Sequence, residues 1–218
     1  MASLKKWLDR RRNPWRGAHY DAMKAWKREN AAARLYDYTA LPSGGVVFDM
    51  GGFKGEWADM VLDQQPDAVI HLFEPHPRFA DELRAKFDAD ERVTVYPVAL
   101  GSADGEMLIS DAGDASSSVA DNGEGAPAEV IAVSRFFADR DIPRIDLMKV
   151  NIEGGEYDLL PALVSAGVIG RIDRLQVQFH LFEEALMAER DSIRAMLEKT
   201  HECVWCYPFV WEEWRLKT

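Results

Sequence analysis

Three groups of residues have the types and spacing to do chemistry. Val46-Val47-Phe48-Asp49-Met50 runs into Gly51-Gly52-Phe53-Lys54-Gly55 and then Glu56-Trp57, which reads as a buried strand, a glycine turn and the start of a helix. Such a turn lets a ligand approach the backbone with no Cβ in the way, while the helix N-terminus presents free N–H groups to it, as a nucleotide-type cofactor site requires. Glu74, nineteen residues after Gly55, closes a second apolar run, where a carboxylate can accept hydrogen bonds from both hydroxyls of a ribose. Asn151-Ile152-Glu153-Gly154-Gly155-Glu156 ends a later apolar run, and His180 ends the next one. An imidazole there titrates near working pH, so His180 is the candidate general base.

These positions meet only if the elements between them are arranged suitably. Apolar runs at 46–50, 68–73, 92–96, 145–152 and 174–179 alternate with helical spacing over 55–63, 77–87 and 157–166. Strand and helix alternating at this pitch require parallel pairing with right-handed crossovers, the doubly wound α/β pattern. Ligands in such sheets bind outside the carboxyl ends of the strands, which is where all three groups fall.

The rest of the chain is read around that core. Residues 3–12 and 18–37 have helical spacing with Pro14 between them, and 1–40 are expected to form an N-terminal helical cap on one domain spanning 41–218. Its candidate buried positions are Trp7, Tyr20, Met23, Trp26, Ala32, Leu35 and Tyr36. Residues 99–109 combine turn chemistry with a short strand, and 111–128 are small, polar and acidic, so they are expected to be a loop or lid. A further strand is expected at 129–133 and a short helix at 135–140. An amphipathic helix at 183–199, with Leu186, Ile193 and Leu197 inward, and a strand pair at 202–207 and 209–216 complete the sheet.

Charge narrows the function. The net charge is −11, yet residues 1–30 alone carry +6, which leaves −17 on the remainder. That body would repel a phosphate backbone, so nucleic acid is not an expected partner. Nothing approaches the ~18 consecutive apolar residues of a membrane span, and Met1–Arg12 lacks an apolar signal core. The expectation is a soluble, cytoplasmic protein without stable membrane insertion. The two cysteines form Cys203-Val204-Trp205-Cys206, beside His201. A zinc site needs a second pair of ligands, a redox motif belongs at a helix start, and residues three apart on a strand face opposite ways, so neither role is expected.

Four stretches in order, FDMGGFKGEWA, LFEPHPRFADEL, YPVALGSADGEMLI and IDLMKVNIEGGEYDLL, resemble the FkbM-type S-adenosylmethionine-dependent methyltransferases over roughly residues 45–180. The resemblance implies a class I methyltransferase sheet: seven strands, mainly parallel, with an antiparallel final strand. It implies S-adenosylmethionine as cofactor and O-methylation of a hydroxyl on a sugar, glycoside or other small natural product. On this resemblance Asp49, Gly51, Gly52, Phe53, Lys54 and Gly55 surround the methionine part, Glu74-Pro75 the ribose, and Val98-Ala99 the adenine. Glu153 falls where the strand end faces the transferred methyl. The family usually has Asp where this chain has Asn151, which can hydrogen-bond but cannot act as a base or anionic metal ligand, so no metal is expected. Two alternatives stand: a nicotinamide oxidoreductase, whose G-x-G-x-x-G differs from the Asp49-x-Gly51-Gly52-x-x-Gly55 found here, and a non-catalytic S-adenosylmethionine-binding domain.

Overall fold

Residues 11–109 and 125–218 are described in the computed structural model of the protein. Trp7 with most of the 3–12 helix, and the 111–124 part of the expected lid, lie outside the described residues. The elements run α1 (Gly17–Arg28), α2 (Ala32–Leu35), β1 (Val46–Met50), α3 (Glu56–Gln64), β2 (Val69–Phe73), α4 (Pro77–Phe87), β3 (Val93–Tyr96), β4 (Val98–Gly101), β5 (Gly105–Ile109), β6 (Ala126–Ala132), α5 (Val133–Ala138), β7 (Leu147–Val150), α6 (Glu156–Ser165), β8 (Arg174–Val177), α7 (Ala185–Leu197), β9 (His201–Tyr207) and β10 (Trp211–Leu216).

Seven strands form one sheet in the order β3-β2-β1-β7-β8-β10-β9, and β10 alone runs antiparallel to its neighbours. The central strands are mostly apolar because helices cover both faces, with Asp49 of β1 and Lys149 of β7 as a buried charged pair. Alternation along them divides the core in two. Phe48, Met148 and Phe73 pack on one face with Phe136, Leu159 and Trp214, whereas Val47, Leu147, Ile70 and Leu72 pack on the other with Tyr38, Trp57 and Phe87. β1 has β2 on one side and β7 on the other, so the strand order reverses here, and a crevice opens at the carboxyl edge. The fold is the expected doubly wound α/β class with a seven-stranded, mainly parallel sheet.

The structure differs from expectation in several places. Residues 18–37 are not one helix: Glu29 and Asn30 break it, with Asn30 at φ 47°, a left-handed conformation that Asn tolerates. Tyr36 is 41% exposed, and Tyr38 is the ring that goes fully into the core, its hydroxyl accepting from Trp57 Nε1 at 2.6 Å. The segment is held to the sheet by β8, where Arg174 Nη1 donates to the Asp37 carbonyl (2.8 Å) and Gln176 Nε2 to the Leu35 carbonyl (2.9 Å). Residues 126–128 belong to a strand and not to the loop. β6 starts at Ala126 and pairs with β4 and β5 in a separate three-stranded sheet that was not expected. Pro97, which lacks an N–H, separates β3 from β4 and releases the chain to that sheet.

β9 contains a bulge. Its register against β10 jumps between Trp205↔Glu213 and Cys203↔Trp214, so Val204 is the extra residue and the two cysteines share a face instead of opposing each other. Helix α7 buries Ile193 and Leu197 as expected, Leu186 only partly, and also Arg190. The Arg190 guanidinium is neutralised by fully buried Glu212 of β10 (Nε to Oε1, 2.7 Å), which also pairs with Arg194 and accepts from Trp214 Nε1. Removing one partner of such a group leaves an uncompensated buried charge. Glu212→Ala is therefore expected to lower unfolding free energy by about 3–5 kcal/mol in urea titrations, with an unchanged slope.

Candidate active site

The crevice is built from the turns after β1, β2 and β7. Gly51 sits at φ +90°, and a Cβ on it would lie 2.2 Å from the Asn151 carbonyl oxygen, so the first and third of these turns touch backbone to backbone only because residue 51 is glycine. Gly51 N–H and Gly52 N–H both donate to the Phe73 carbonyl (2.9 and 3.0 Å), which ties the β2 end to the same point. Beneath the turn lies Asp49. The parallel register sets it opposite Lys149, whose Nζ donates to Asp49 Oδ1 (2.8 Å) and to the Gly51 carbonyl (2.8 Å). Asp49 is fully buried; burial pushes its carboxyl up, and the Lys149 ammonium opposes that.

A cavity of about 450 Å³ occupies the crevice, within the range of small-molecule and cofactor sites. Of the residues singled out from sequence, Gly51, Phe53, Glu74, Pro75, Val98, Ala99, Asn151 and Glu153 line it. Asp49, Gly52, Lys54, Gly55 and His180 are not in its wall. Gly52 lies against Leu72, Gly55 (φ +75°) begins α3, and the Lys54 ammonium sits over the Phe53 ring at 4.9 Å. Sequence reasoning missed the roof, where Met107, Ile109 and Val130 come from the three-stranded sheet. The alternation in 105–109 marks a strand, but nothing local shows where that strand packs.

Glu74, 7% exposed, has Oε2 accepting from Phe53 N–H (2.8 Å) and Oε1 from His76 N–H (2.9 Å). Burial raises its carboxyl, and these two backbone donors act the other way. Each oxygen keeps a lone pair for a ligand hydroxyl. Asn151 Oδ1 is buried and has no hydrogen-bond partner, an acceptor left for a ligand N–H.

At the other end of the crevice is a carboxylate–imidazole–carboxylate row. Glu153 holds a left-handed φ of 48°, which costs energy for a non-glycine residue and marks a constrained turn. Its Oε1 is 3.2 Å from His180 Nε2, while His180 Nδ1 is 3.1 Å from Oε1 of fully buried Glu156. Glu156 also accepts from the N–H groups of His180 (2.7 Å) and Gly154 (2.9 Å). Burial alone would lower the imidazole, but the hydrogen bonds to Glu153 and Glu156 outweigh it and lift it from 6.5 to about 9. His180 thus keeps its proton at neutral pH, with both nitrogens engaged by carboxylates.

Because the folded protein holds this proton above the ordinary value of 6.5, the contribution to stability is complete below that pH and is lost as pH rises through about 9. An NMR titration of the His180 ring is expected to give a midpoint near 9, and Glu156→Gln to move it back toward 6.5.

The sequence matches the model of the methyltransferase FkbM domain over residues 49–204, a span that contains every candidate site residue from Asp49 to His180. No curated protein matches the chain. Among solved structures, a putative rRNA methylase from Clostridium thermocellum is similar at a TM-score of 0.54 and 10% identity, covering 86% of this chain and 96% of its own. An rRNA methylase from Streptococcus thermophilus gives 0.51 and 8%, covering 85% and 95%. A putative O-methyltransferase from Klebsiella pneumoniae gives 0.49 and 9%, covering 94% and 89%. At these identities the first two structures speak for the fold alone: a Rossmann-like methyltransferase sheet. The family match covers well over half of the sequence, and the chain belongs to the FkbM methyltransferase family, with S-adenosylmethionine as its cofactor.

Proposed function

We propose that this S-adenosylmethionine-dependent methyltransferase methylates a hydroxyl of a sugar, glycoside or small natural product. The observation that carries the reading is the Glu153 carboxylate in the cavity wall, held by a charged His180. The cavity fits the cofactor on three counts: the glycine surface at Gly51, the Glu74 carboxylate at the β2 end, and the unpartnered Asn151 Oδ1. When bound, S-adenosylmethionine supplies a methyl group made electrophilic by the sulfonium.

The residues divide the remaining work. Glu74 accepts hydroxyl hydrogen bonds and orients a ribose, and the apolar wall from Val98 to Ile109 excludes water from a flat ring. Asn151 accepts from an ammonium or amide N–H. Glu153 Oε takes the proton that an attacking hydroxyl must lose, which contributes roughly 10²–10⁴-fold, and fixing that hydroxyl in line contributes more. His180 is a positioning residue. Its imidazolium holds Glu153, and Glu156 holds the imidazolium. The base role expected for His180 passes in this reading to Glu153. The −17 carried outside the first thirty residues favours a small uncharged acceptor over a polyanion.

Calorimetric titration is expected to show binding of S-adenosylmethionine and none of NAD. Glu74→Gln, which removes the charged acceptor, is expected to weaken the first by roughly tenfold or more. Heat from NAD but not from S-adenosylmethionine would overturn the cofactor assignment.

Labelled methyl transfer, screened over hydroxylated sugars, glycosides and aglycones with ribosomal RNA alongside, tests the acceptor class. Alkali-stable label in a sugar or aglycone supports the reading, whereas label in RNA alone contradicts it. With an acceptor in hand, Glu153→Gln is expected to lower kcat by roughly 10²–10⁴-fold while S-adenosylmethionine affinity changes little.

A further inference from the structure

Away from the cavity, β9 carries Cys203 and Cys206. In an unbroken strand they would face opposite sides, but the bulge at Val204 pairs Cys206 with Glu212 and Cys203 with Trp214, two β10 residues that share a face. Both sulfurs therefore point at α7. Arg194 Nη1 lies 3.9 Å from Cys203 Sγ and 3.5 Å from Cys206 Sγ, and Arg190 Nη2 lies 3.1 Å from Cys206 Sγ. The charged groups facing the pair are these two arginines and Glu212, whose oxygens are already shared between them. Both cysteines are half-buried, and two guanidiniums against one carboxylate make their surroundings electropositive.

Thiols ionise and react in such surroundings. The neighbouring Cys206 thiol and, after it, the Arg194 charge bring Cys203 down to about 7 against a burial that acts the other way. The same pairing, with burial and the Glu212 charge, pushes Cys206 up. The pair as a unit thus gives up its first proton readily and its second with difficulty.

We propose that Cys203 and Cys206 are a reversible redox pair whose co-reactant is a low-molecular-weight disulfide. The thiolate of one cysteine attacks one sulfur of that disulfide, the S–S bond breaks, and a thiolate leaves and takes up a proton. The other cysteine then gives up its proton and attacks the Sγ that carries the mixed disulfide, expelling the second thiolate, which takes up that proton. The protein loses two electrons and two protons, and the small disulfide becomes two thiols. β9 is the edge strand, paired with β10 alone, so its bulged segment can shift to close the new bond without breaking a second ladder.

The test is intact-mass analysis of the full chain and two variants incubated with oxidised glutathione at pH 7.5. The wild type is expected to lose two hydrogens, reversibly with dithiothreitol. Cys206→Ser should keep one glutathione on Cys203, and Cys203→Ser one on Cys206, because neither variant has a second thiol to expel it. A stable glutathione adduct on the wild type, or a wild-type rate no greater than that of the urea-unfolded chain, would each overturn the proposal.

Discussion

The crevice depends on one buried ion pair. Asp49 and Lys149 meet across β1 and β7, the two strands between which the sheet order reverses, and Lys149 reaches on to the Gly51 carbonyl. A carboxylate and an ammonium out of water are tolerable only together, so each fixes the other and the strand register that brings them level. That register sets the β1 turn against Asn151 at a distance only glycine allows, and the turn's two N–H groups then fasten to Phe73 at the end of β2. Three strand ends are locked at one point, and the cavity opens just beyond it. Asp49 acts on the cavity surface from beneath, through the backbone, without joining the cavity wall.

A second electrostatic constraint shapes the far end of the cavity. Glu156 is fully buried and spends its oxygens on Gly154, on the His180 backbone and on the His180 ring. The imidazole, charged by that contact, presents its remaining nitrogen to Glu153. A charge thus passes from the start of α6 through the β8 loop to a carboxylate at the cavity surface, and the strained backbone at Glu153 aims it there. In sequence, His180 is the candidate base because it ends an apolar run at the carboxyl edge and an imidazole titrates near working pH. Its two neighbours instead hold it as the cation of the row.

Much of this was legible in the sequence because it depends on local patterns. Continuous apolar runs marked the five parallel strands, and the glycine turn, Glu74 and the Asn151–Glu156 turn fell on strand carboxyl ends, so their convergence followed from the doubly wound topology alone. What was not legible depends on partners distant in sequence. Lys149 sits within an apolar run, and only β1 beside it supplies the partner for its ammonium. Tyr38 was hidden by a helical pattern that Asn30 interrupts, and its place in the core is fixed by Trp57. The roof over the Val98–Ala99 side of the cavity needs β4, β5 and β6 to pair with one another. The shared face of Cys203 and Cys206 follows from a single extra residue against β10, which no period-two reading of β9 reveals.

The central claim is that one cavity holds S-adenosylmethionine with its ribose on Glu74 and its transferable methyl toward Glu153. A crystal structure with S-adenosylhomocysteine tests it most directly. The account predicts ribose hydroxyls within hydrogen-bonding distance of Glu74, the adenine against Val98 and Ala99, an N–H on Asn151 Oδ1, and the sulfur on the Glu153 side of the cavity. A ligand bound elsewhere, or in this cavity with its sulfur turned away from Glu153, would contradict it.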